Sequence, residues 1–387
     1  MRLLHTSDWH LGRTLHGVDL LDHQAAYLEH LVDVVRAENV DAVVVAGDVY
    51  DRAIPPVDAV TLLSETLSRL AEHTTVVVTS GNHDSATRLG FGSALMRDRV
   101  RLRTRVAGLA EPVVLADDQG DVLVYGVPYL DPDFARVELA DGPELLARSH
   151  EAVAAAAMRR IRADIETRAG STRPRTVVAA HAFVIGGAPT ESERDIRVGG
   201  VDQVAAAVFT GADYVALGHL HGPQGLTGPT GTTLRYSGSP LAYSFSEQHH
   251  AKSTVLVDLS GGEVRTSLIP APVPRRLADV TGTLEELLGA AGEKHTDDWA
   301  RVTVTDAHRP LDLYRRVKQR FPHALVVQHR AAESAGTSRA AVITAAHDPL
   351  EVTADFLAHV TGHRPTPAEV DVLRRAYEDV AAIERSA

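Results

Sequence analysis

The sequence predicts a layered α/β core, followed by a small α+β domain and a pair of C-terminal helices. Three observations carry this expectation. Short apolar runs alternate with amphipathic stretches over the first two-thirds, a proline run interrupts the chain at 270–274, and two capped helix starts lie near its end.

Residues 1–6 read as a buried strand. Residues 20–38 then carry Leu21, Leu28, Leu31, Val32 and Val35 at helical spacing, before a strand at 41–46. Pro55-Pro56 sets the start of a second helix at 57–72, with Leu62, Leu63, Leu67 and Leu70 on its apolar side. A strand at 75–79 follows. An Ala- and Arg-rich helix at 144–168 precedes a strand at 176–180, and a shorter helix at 201–209 precedes one at 214–217. Such alternation implies parallel or mixed sheet, with loops at the strands' carboxyl ends converging on one crevice. From Leu234 the pattern turns to β, with strands at 234–239, 253–259 and 263–269.

Pro270, Pro272 and Pro274 alternate with Ala271 and Val273, which favours an extended connector. Beyond it, strands at 276–280, 300–305 and 324–329 alternate with helices at 284–291 and 311–320. Residues 331–346 are polar and Ala-rich, the texture of a tether. Asp348-Pro349-Leu350-Glu351 and Thr366-Pro367-Ala368-Glu369 each offer an N-cap residue, Pro at the first helical position and Glu for a capping box. Leu350, Phe356, Leu357 and Val360 line one face of the first helix; Val370, Leu373, Tyr377 and Val380 line that of the second. A pair of this kind covers its own core or docks onto a partner. The expected divisions are a core at 1–270, a small domain at 271–331, a linker at 332–347 and the helix pair at 348–387.

A chain of 387 residues is too long for one typical core, and its 44% hydrophobic and 23% charged residues are those of an ordinary globular protein. No apolar run approaches the ~20 residues of a membrane helix. The N-terminus lacks a signal-peptide layout. Absence of cysteine removes thiolate ligands and disulfides and suits the cytoplasm. The net charge of −12 argues against a general electrostatic hold on nucleic acid, although bound cations or a local basic patch can offset it. One such patch is visible. Arg97, Arg99, Arg101, Arg103 and Arg105 recur at period two, which would place five guanidiniums on one face of a strand. A charge-guarded edge strand and a phosphate-backbone contact both fit.

Five of the apolar runs end abruptly in residues that can ligate a metal. They close in Asp8-Trp9-His10, Gly47-Asp48, Gly81-Asn82-His83-Asp84, His181 and Gly218-His219-Leu220-His221. Among 20 histidines a single such ending means little, and His5, inside the first run, reads as packed. Five in order, all of nitrogen or oxygen type, point to a dinuclear hydrolase. Hydrolysing a phosphate ester needs a nucleophile from water, neutralised equatorial oxygens and a stabilised leaving oxygen. Two cations about 3.5–4 Å apart can supply all three. The inventory is Asp8, His10, Asp48, Asn82, His181, His219 and His221, with Asp48 in the middle as the natural bridge. Imidazole mixed with carboxylate and amide oxygen suits Mn(II), Fe or Zn better than Mg(II).

The order Asp-x-His, Gly-Asp-x-x-Asp, Gly-Asn-His-Asp, His and Gly-His-x-His resembles the calcineurin-like metallophosphoesterases. More narrowly, the chain resembles the nuclease subunits of bacterial SbcCD-type complexes. HTSDWHLG at 5–12, VDAVVVAGDVYD at 40–51, SGNHDS at 80–85, ERDIRVGG at 193–200, ADYVALGHLH at 212–221 and YSGSPLAYSFSE at 236–247 carry the match. It covers nearly the whole core and extends more loosely through the small domain and the helix pair.

The resemblance implies a four-layer α/β/β/α core with the small domain as a cap. It implies one metal held by Asp8, His10, Asp48 and His221 and a second by Asp48, Asn82, His181 and His219. Both would be Mn(II), with Mg, Fe or Zn open. His83 would be the catalytic histidine that orients the phosphate or protonates the leaving oxygen, with Asp84 beside it counted as catalytic; a purely orienting histidine is the competing reading. Asp51 follows the bacterial form of the second motif, where relatives outside bacteria carry histidine, so loop fixing competes with catalysis there. Further implied are exonuclease and hairpin-opening endonuclease action on DNA ends in repair and recombination, an SMC-like ATPase partner, and a homodimer within a heterotetramer. The cap stands where such proteins contact DNA. The helix pair stands where they meet the partner's coiled coil, through Val370, Leu373, Tyr377 and Val380. A cytoplasmic, nucleoid-associated location with no membrane contact follows.

Two other functions compete with this one. A phosphoesterase for a small substrate would need neither the cap nor the five-arginine pattern. A DNA-end tether with minor nuclease activity would need no complete set of seven ligands.

Overall fold

The computed structural model describes residues 1–96, 99–170, 173–193, 203–331, 349–361 and 363–384. By internal contacts the chain divides into Met1–Ala331 and Ala332–Ala387.

The core strands are, in chain order, β1 (Arg2–Thr6), β2 (Ala42–Ala46), β3 (Thr75–Thr79), β4 (Val100–Arg103), β5 (Val113–Asp117), β6 (Gly120–Val127), β7 (Arg175–His181), β8 (Tyr214–Gly218), β9 (Gln224–Leu226), β10 (Thr233–Tyr236), β11 (Ser253–Ser260) and β12 (Glu263–Pro270). They form two six-stranded sheets, ordered β12-β11-β1-β2-β3-β4 and β9-β10-β8-β7-β6-β5. The inner strands of each sheet run parallel, and antiparallel strands lie toward their edges.

The sheets pack face to face because their central strands are apolar on both sides, as strands of a covered parallel sheet must be. Leu3, Val44, Val77, Val124, Val177, Ala216 and Val257 fill the space between them. Leu4, Val43, Val45, Val76 and Val78 point the other way, onto helices α1 (Leu21–Ala37) and α2 (Val57–Ala71). Tyr125, Val178, Val215 and Leu217 meet α5 (His150–Arg168) on the far side, which follows the short α3 (Ala86–Leu89) and α4 (Pro132–Glu138). The result is the four-layer α/β/β/α arrangement. His5 spans the inner layer, with Nδ1 2.8 Å from Tyr214 Oη and Nε2 3.2 Å from Leu217 O, and burial drives its pKa down to about 3.

One carboxylate ties the sheets together at their edge. Asp117 Oδ2 lies 2.7 Å from the Met1 amine, while Arg175 Nη2 donates to Oδ1 at 2.5 Å. Arg175 and the amine hold the Asp117 carboxyl well below its ordinary range. A depressed folded-state pKa stabilises above the unfolded value and loses that stabilisation as pH falls through the folded value. Asp117→Asn should lower the melting temperature by roughly 2 °C near pH 7, on the scale of a ~1 kcal/mol ion pair in a large domain. The gap should narrow below about pH 4, where ordinary carboxylates protonate. Equal losses by circular dichroism at both pH values would contradict this account.

The cap is a parallel sheet of β13 (Leu277–Gly282), β14 (Trp299–Val304) and β15 (Ala324–His329), covered by α6 (Leu284–Leu288) and α7 (Leu313–Arg320). Leu277 and Trp299 join Leu15, Leu20, Leu241, Tyr243 and Phe245 of the core in one buried cluster. Arg301 lies 4.8 Å above the Phe245 ring, and Gln248 and Asp279 exchange hydrogen bonds of 3.0 and 3.1 Å.

In the second unit, α8 (Pro349–Thr361) and α9 (Pro367–Glu384) are present. Thr366 and Glu369 make the expected capping box, with Thr366 N donating to Glu369 Oε2 at 2.7 Å and Glu369 N to Thr366 Oγ1 at 3.4 Å. Leu357, Val372 and Leu373 share an apolar groove between the helices, whereas Tyr377 is exposed. The Val380 side chain and the tether at 332–347 lie outside the described residues.

Several local expectations need correction. The helix expected at 144–168 starts only at His150, because Ser149 caps it through the amide of Ala152. No helix occupies 203–209: Gln203–Val204 pairs in parallel with Phe183–Val184, and Ala206–Phe209 is a 3₁₀ turn. The β5–β6 hairpin was not anticipated, although an apolar run at 113–116 leads into the turn at Gln119-Gly120. Nor do the five arginines share one face. The strand spans only Val100–Arg103; Arg99 caps the C-terminal carbonyls of Ala71 and Glu72 at 3.2 and 2.8 Å. Arg103 packs against Gly126, Arg105 lies past the strand end, and Arg97 lies outside the described residues.

Candidate metal centre

Five parallel strands from both sheets deliver their carboxyl-terminal loops to one place. From the first sheet come Asp8 and His10 after β1, Asp48 after β2 and Asn82 after β3. From the second come His181, the last residue of β7, and His219 and His221 after β8. Asp8 (φ 54°), His10 (46°), Asp48 (49°) and His219 (105°) adopt the left-handed region, a costly backbone state that sharp turns at functional sites retain. Gly47 permits close approach: a Cβ there would lie 2.5 Å from His181 Nδ1. A Cβ at Gly81 would overlap the Asp48 carboxylate.

All seven residues singled out in the sequence meet. His10 Nε2 lies 3.2 Å from His221 Nε2 and 3.6 Å from Asp48 Oδ2. The same oxygen lies 3.4 Å from His181 Nε2. Asp48 Oδ2 therefore sits between two groups, while its Oδ1 is engaged by the His83 amide at 2.9 Å. Asn82 Oδ1 is 2.8 Å from His181 Nε2 and 3.2 Å from His219 Nδ1. The His219 amide donates to Asp8 Oδ1 at 3.1 Å. Ligand atoms of Asp8, His10 and His221 fall within 4.8 Å of one another, as do those of Asp8, Asp48 and His181 and those of His10, Asp48 and His83.

This donor set fits a pair of divalent cations. His181 Nδ1 faces the Ala46 carbonyl at 3.0 Å, and a carbonyl only accepts, so Nδ1 carries the hydrogen. Nε2 then confronts the Asp48 Oδ2 carboxylate at 3.4 Å, acceptor against acceptor, and only a proton or a cation reconciles them. Burial lowers the His181 pKa, yet Asp48 outweighs it and raises the value to about 9. Burial likewise pushes Asp8 up to about 6, against the pull of His181 and His221. Burial pushes Asp48 up too, but His181 and His10 hold it well below its ordinary range. Two desolvated carboxylates packed among imidazoles constitute a demand for positive charge.

His83 is half-buried at the rim, its ring 4.6 Å from that of His10. Its Nδ1 lies 2.8 Å from Asp51 O, which again places the hydrogen on Nδ1 and leaves Nε2 available. The Asp51 carboxylate is 3.4 Å from Arg13 Nη1 and 3.6 Å from His10 Nδ1, a loop-fixing position. Asp84 does not meet the His83 ring among these contacts. Its oxygens accept from the amides of Val49 (3.1 Å), Tyr50 (2.9 Å) and Gly81 (2.9 Å), binding the β2 and β3 loops together. Burial and the charge of Asp48 push its pKa to about 7, against those three donors.

Sequence reasoning missed a polar shell around the centre. Gln24 Nε2 donates to the carbonyls of Trp9 (3.0 Å) and His10 (2.8 Å), bracing the first turn from α1. Ser192, Glu247 and Lys252 are buried behind His221. Burial raises the Glu247 carboxyl, but Lys252 and His221 outweigh it and hold the group ionised. Glu247 closes the YSGSPLAYSFSE stretch, the one signal that could have marked it.

Residues 1–223 match the calcineurin-like phosphoesterase family, and residues 273–361 match a domain described as the type 5 capsule protein repressor C-terminal domain. The SbcD component of the Bacillus subtilis nuclease SbcCD is 42% identical over 275 residues, covering 69% of this chain and 68% of its own length. The chain belongs to the SbcD family of calcineurin-like phosphoesterases. The SbcD of Staphylococcus saprophyticus is 30% identical over 334 residues, covering 85% of each chain. With the C-terminal domain match, likeness to known proteins runs from the two-sheet core through the cap and into the second unit. No helix among the described residues is long and apolar enough to cross a membrane.

Proposed function

We propose that this chain is the metal-dependent nuclease subunit of an SbcCD-type complex, hydrolysing phosphodiesters at double-strand DNA ends and hairpins during repair and recombination. The convergence of Asp8, His10, Asp48, Asn82, His181, His219 and His221 on one point carries this reading. Asp8, His10, Asp48 and His221 would hold one Mn(II). Asp48, Asn82, His181 and His219 would hold the second, with Asp48 common to both sets. Two such cations would supply Lewis acidity toward the phosphate oxygens and toward an attacking water.

The chain's own groups do the rest. His83, with Nδ1 anchored on Asp51 O, presents Nε2 at the rim, where, once protonated there, it orients a phosphate or gives that proton to the leaving oxygen. Asp84 acts through the loops as a positioning residue, since its oxygens are taken by three amides. Arg103 and Arg105 line a polar cleft of about 320 Å³, the part of the arginine pattern best placed to meet a DNA backbone.

We further propose a homodimer that pairs with an SMC-like ATPase in a heterotetramer, acting on DNA in the cytoplasm. Ile54, Val57, Phe91 and Leu95 are each more than two-thirds exposed, and Arg88 of α3 donates to Ala53 O at 3.3 Å, so these apolar side chains belong to adjoining stretches of chain. Clusters of this kind mark protein contacts. Val370, Leu373, Tyr377 and Val380 of the helix pair are the proposed ATPase contact, with Leu373 lining the apolar groove.

The decisive assay incubates purified protein, alone and with its ATPase partner, with linear and hairpin DNA and Mn(II), beside bis-p-nitrophenyl phosphate. Mn(II)-dependent DNA cleavage is expected. Turnover of the small ester without any DNA cleavage, partner included, would refute the nuclease reading and favour a small-substrate phosphoesterase.

A further inference from the structure

Behind His221, at the ring nitrogen opposite His10, lies a buried polar chain that the proposed chemistry leaves unused. Ser192 Oγ is 2.7 Å from His221 Nδ1 and 2.5 Å from Glu247 Oε1. Glu247 and His221 are each 1% exposed and Ser192 8%, so water does not compete. The direction of the hydrogen bonds follows from counting hydrogens. A serine hydroxyl has one, and an ionised carboxylate only accepts. The hydroxyl hydrogen therefore goes to Glu247, and the hydroxyl oxygen accepts from His221 Nδ1–H. His221 Nε2 is left without hydrogen, 3.2 Å from His10 Nε2.

We propose that Glu247 is a positioning residue of the metal centre, acting through Ser192 to lock His221 in the tautomer and ring orientation that present Nε2 to a cation. The inference rests on the ligand assignment given above. A histidine ligand gains both basicity and a fixed orientation when its second nitrogen donates to a carboxylate or to a group that a carboxylate holds. Here the hold extends to the backbone. Lys252 Nζ, which pairs with Glu247 Oε2, also donates to His221 O at 2.9 Å and Ser239 Oγ at 2.8 Å. Glu193 Oε1 accepts from the His221 amide at 2.8 Å. Glu247 itself sits on the turn that carries the cap, one residue before Gln248.

A buried Glu–Lys pair could serve the fold alone, and Ser192 separates the two roles. Ser192→Ala removes the hydroxyl relay to His221, leaving only the 3.5 Å approach of Glu247 Oε1 to its Nδ1, and keeps the Glu247–Lys252 pair; Glu247→Gln keeps an acceptor oxygen toward Ser192 and should lie between wild type and Ser192→Ala. Full-length protein stripped of metal by chelation is titrated with Mn(II) by calorimetry. One of the two Mn(II) sites should weaken by roughly 10–100-fold in Ser192→Ala, with the other unchanged. DNA cleavage should recover at high Mn(II). In ¹⁵N spectra of the stripped protein, His221 should carry its hydrogen on Nδ1 in the wild type and populate both tautomers in Ser192→Ala.

Unchanged Mn(II) affinities and an unchanged His221 tautomer in both variants, with only the melting temperature lowered, would reduce Glu247 to a fold-supporting residue. The tautomer measurement needs no metal, so it judges the relay even if wild-type protein binds no Mn(II). Failure of the wild type to bind Mn(II) and cut DNA would instead refute the nuclease reading.

Discussion

Asp48→Asn should abolish binding of both metals and lower DNA cleavage by roughly 10³-fold or more. Lewis-acid stabilisation is worth several kcal/mol, and each 1.36 kcal/mol is a factor of ten in rate. The substitution preserves shape: an amide oxygen can still accept from the His83 amide, now at 2.9 Å from Oδ1. What disappears is the charge at the atom lying 3.6 Å from His10 Nε2 and 3.4 Å from His181 Nε2. Metal content by mass spectrometry should fall from two ions to fewer than one, with the far-ultraviolet dichroism unaltered. If Asp48→Asn keeps two ions, the carboxylate does not bridge and the ligand assignment fails.

His83→Ala should behave differently, with both metals retained and turnover reduced by about 10²–10⁴-fold, the range for a lost acid–base group. His83 has a rim position and an anchored Nδ1, yet its ring also lies within ligand reach of His10 and Asp48. Metal content therefore separates two roles that activity alone would merge. Loss of an ion in His83→Ala would reassign the residue as a ligand. A substrate with a better leaving group should be less sensitive to the substitution if His83 protonates the leaving oxygen, and equally sensitive if it only orients the phosphate.

Much of the centre was legible because its ligands sit at the ends of strands. An apolar run that stops at Asp, Asn or His marks both the element and the loop that leaves its carboxyl end, and these are local patterns. Likewise Thr366 and Glu369, three residues apart, form the capping box that their spacing suggests. The arginine pattern misled for the complementary reason. Period two describes a face only while the strand lasts, and β4 ends at Arg103. Asp84 and His83 show that neighbours in sequence need not point together: Asp84 binds the amides of Val49 and Tyr50, far earlier in the chain, and His83 turns toward Asp51.

What the amino-acid order alone determined is most of the buried strands, most of the helices that cover them and the identity of the ligand-type residues. Those follow from periodicity and from chemistry that each side chain carries with it. The tertiary structure decided which nitrogen of each histidine is free, that Asp48 Oδ2 lies between two groups, and that Ser192, Glu247 and Lys252 close behind His221. These depend on contacts 29 to 211 residues apart in the chain. No local pattern encodes such contacts, because they exist only once two sheets have packed and excluded water between their loops.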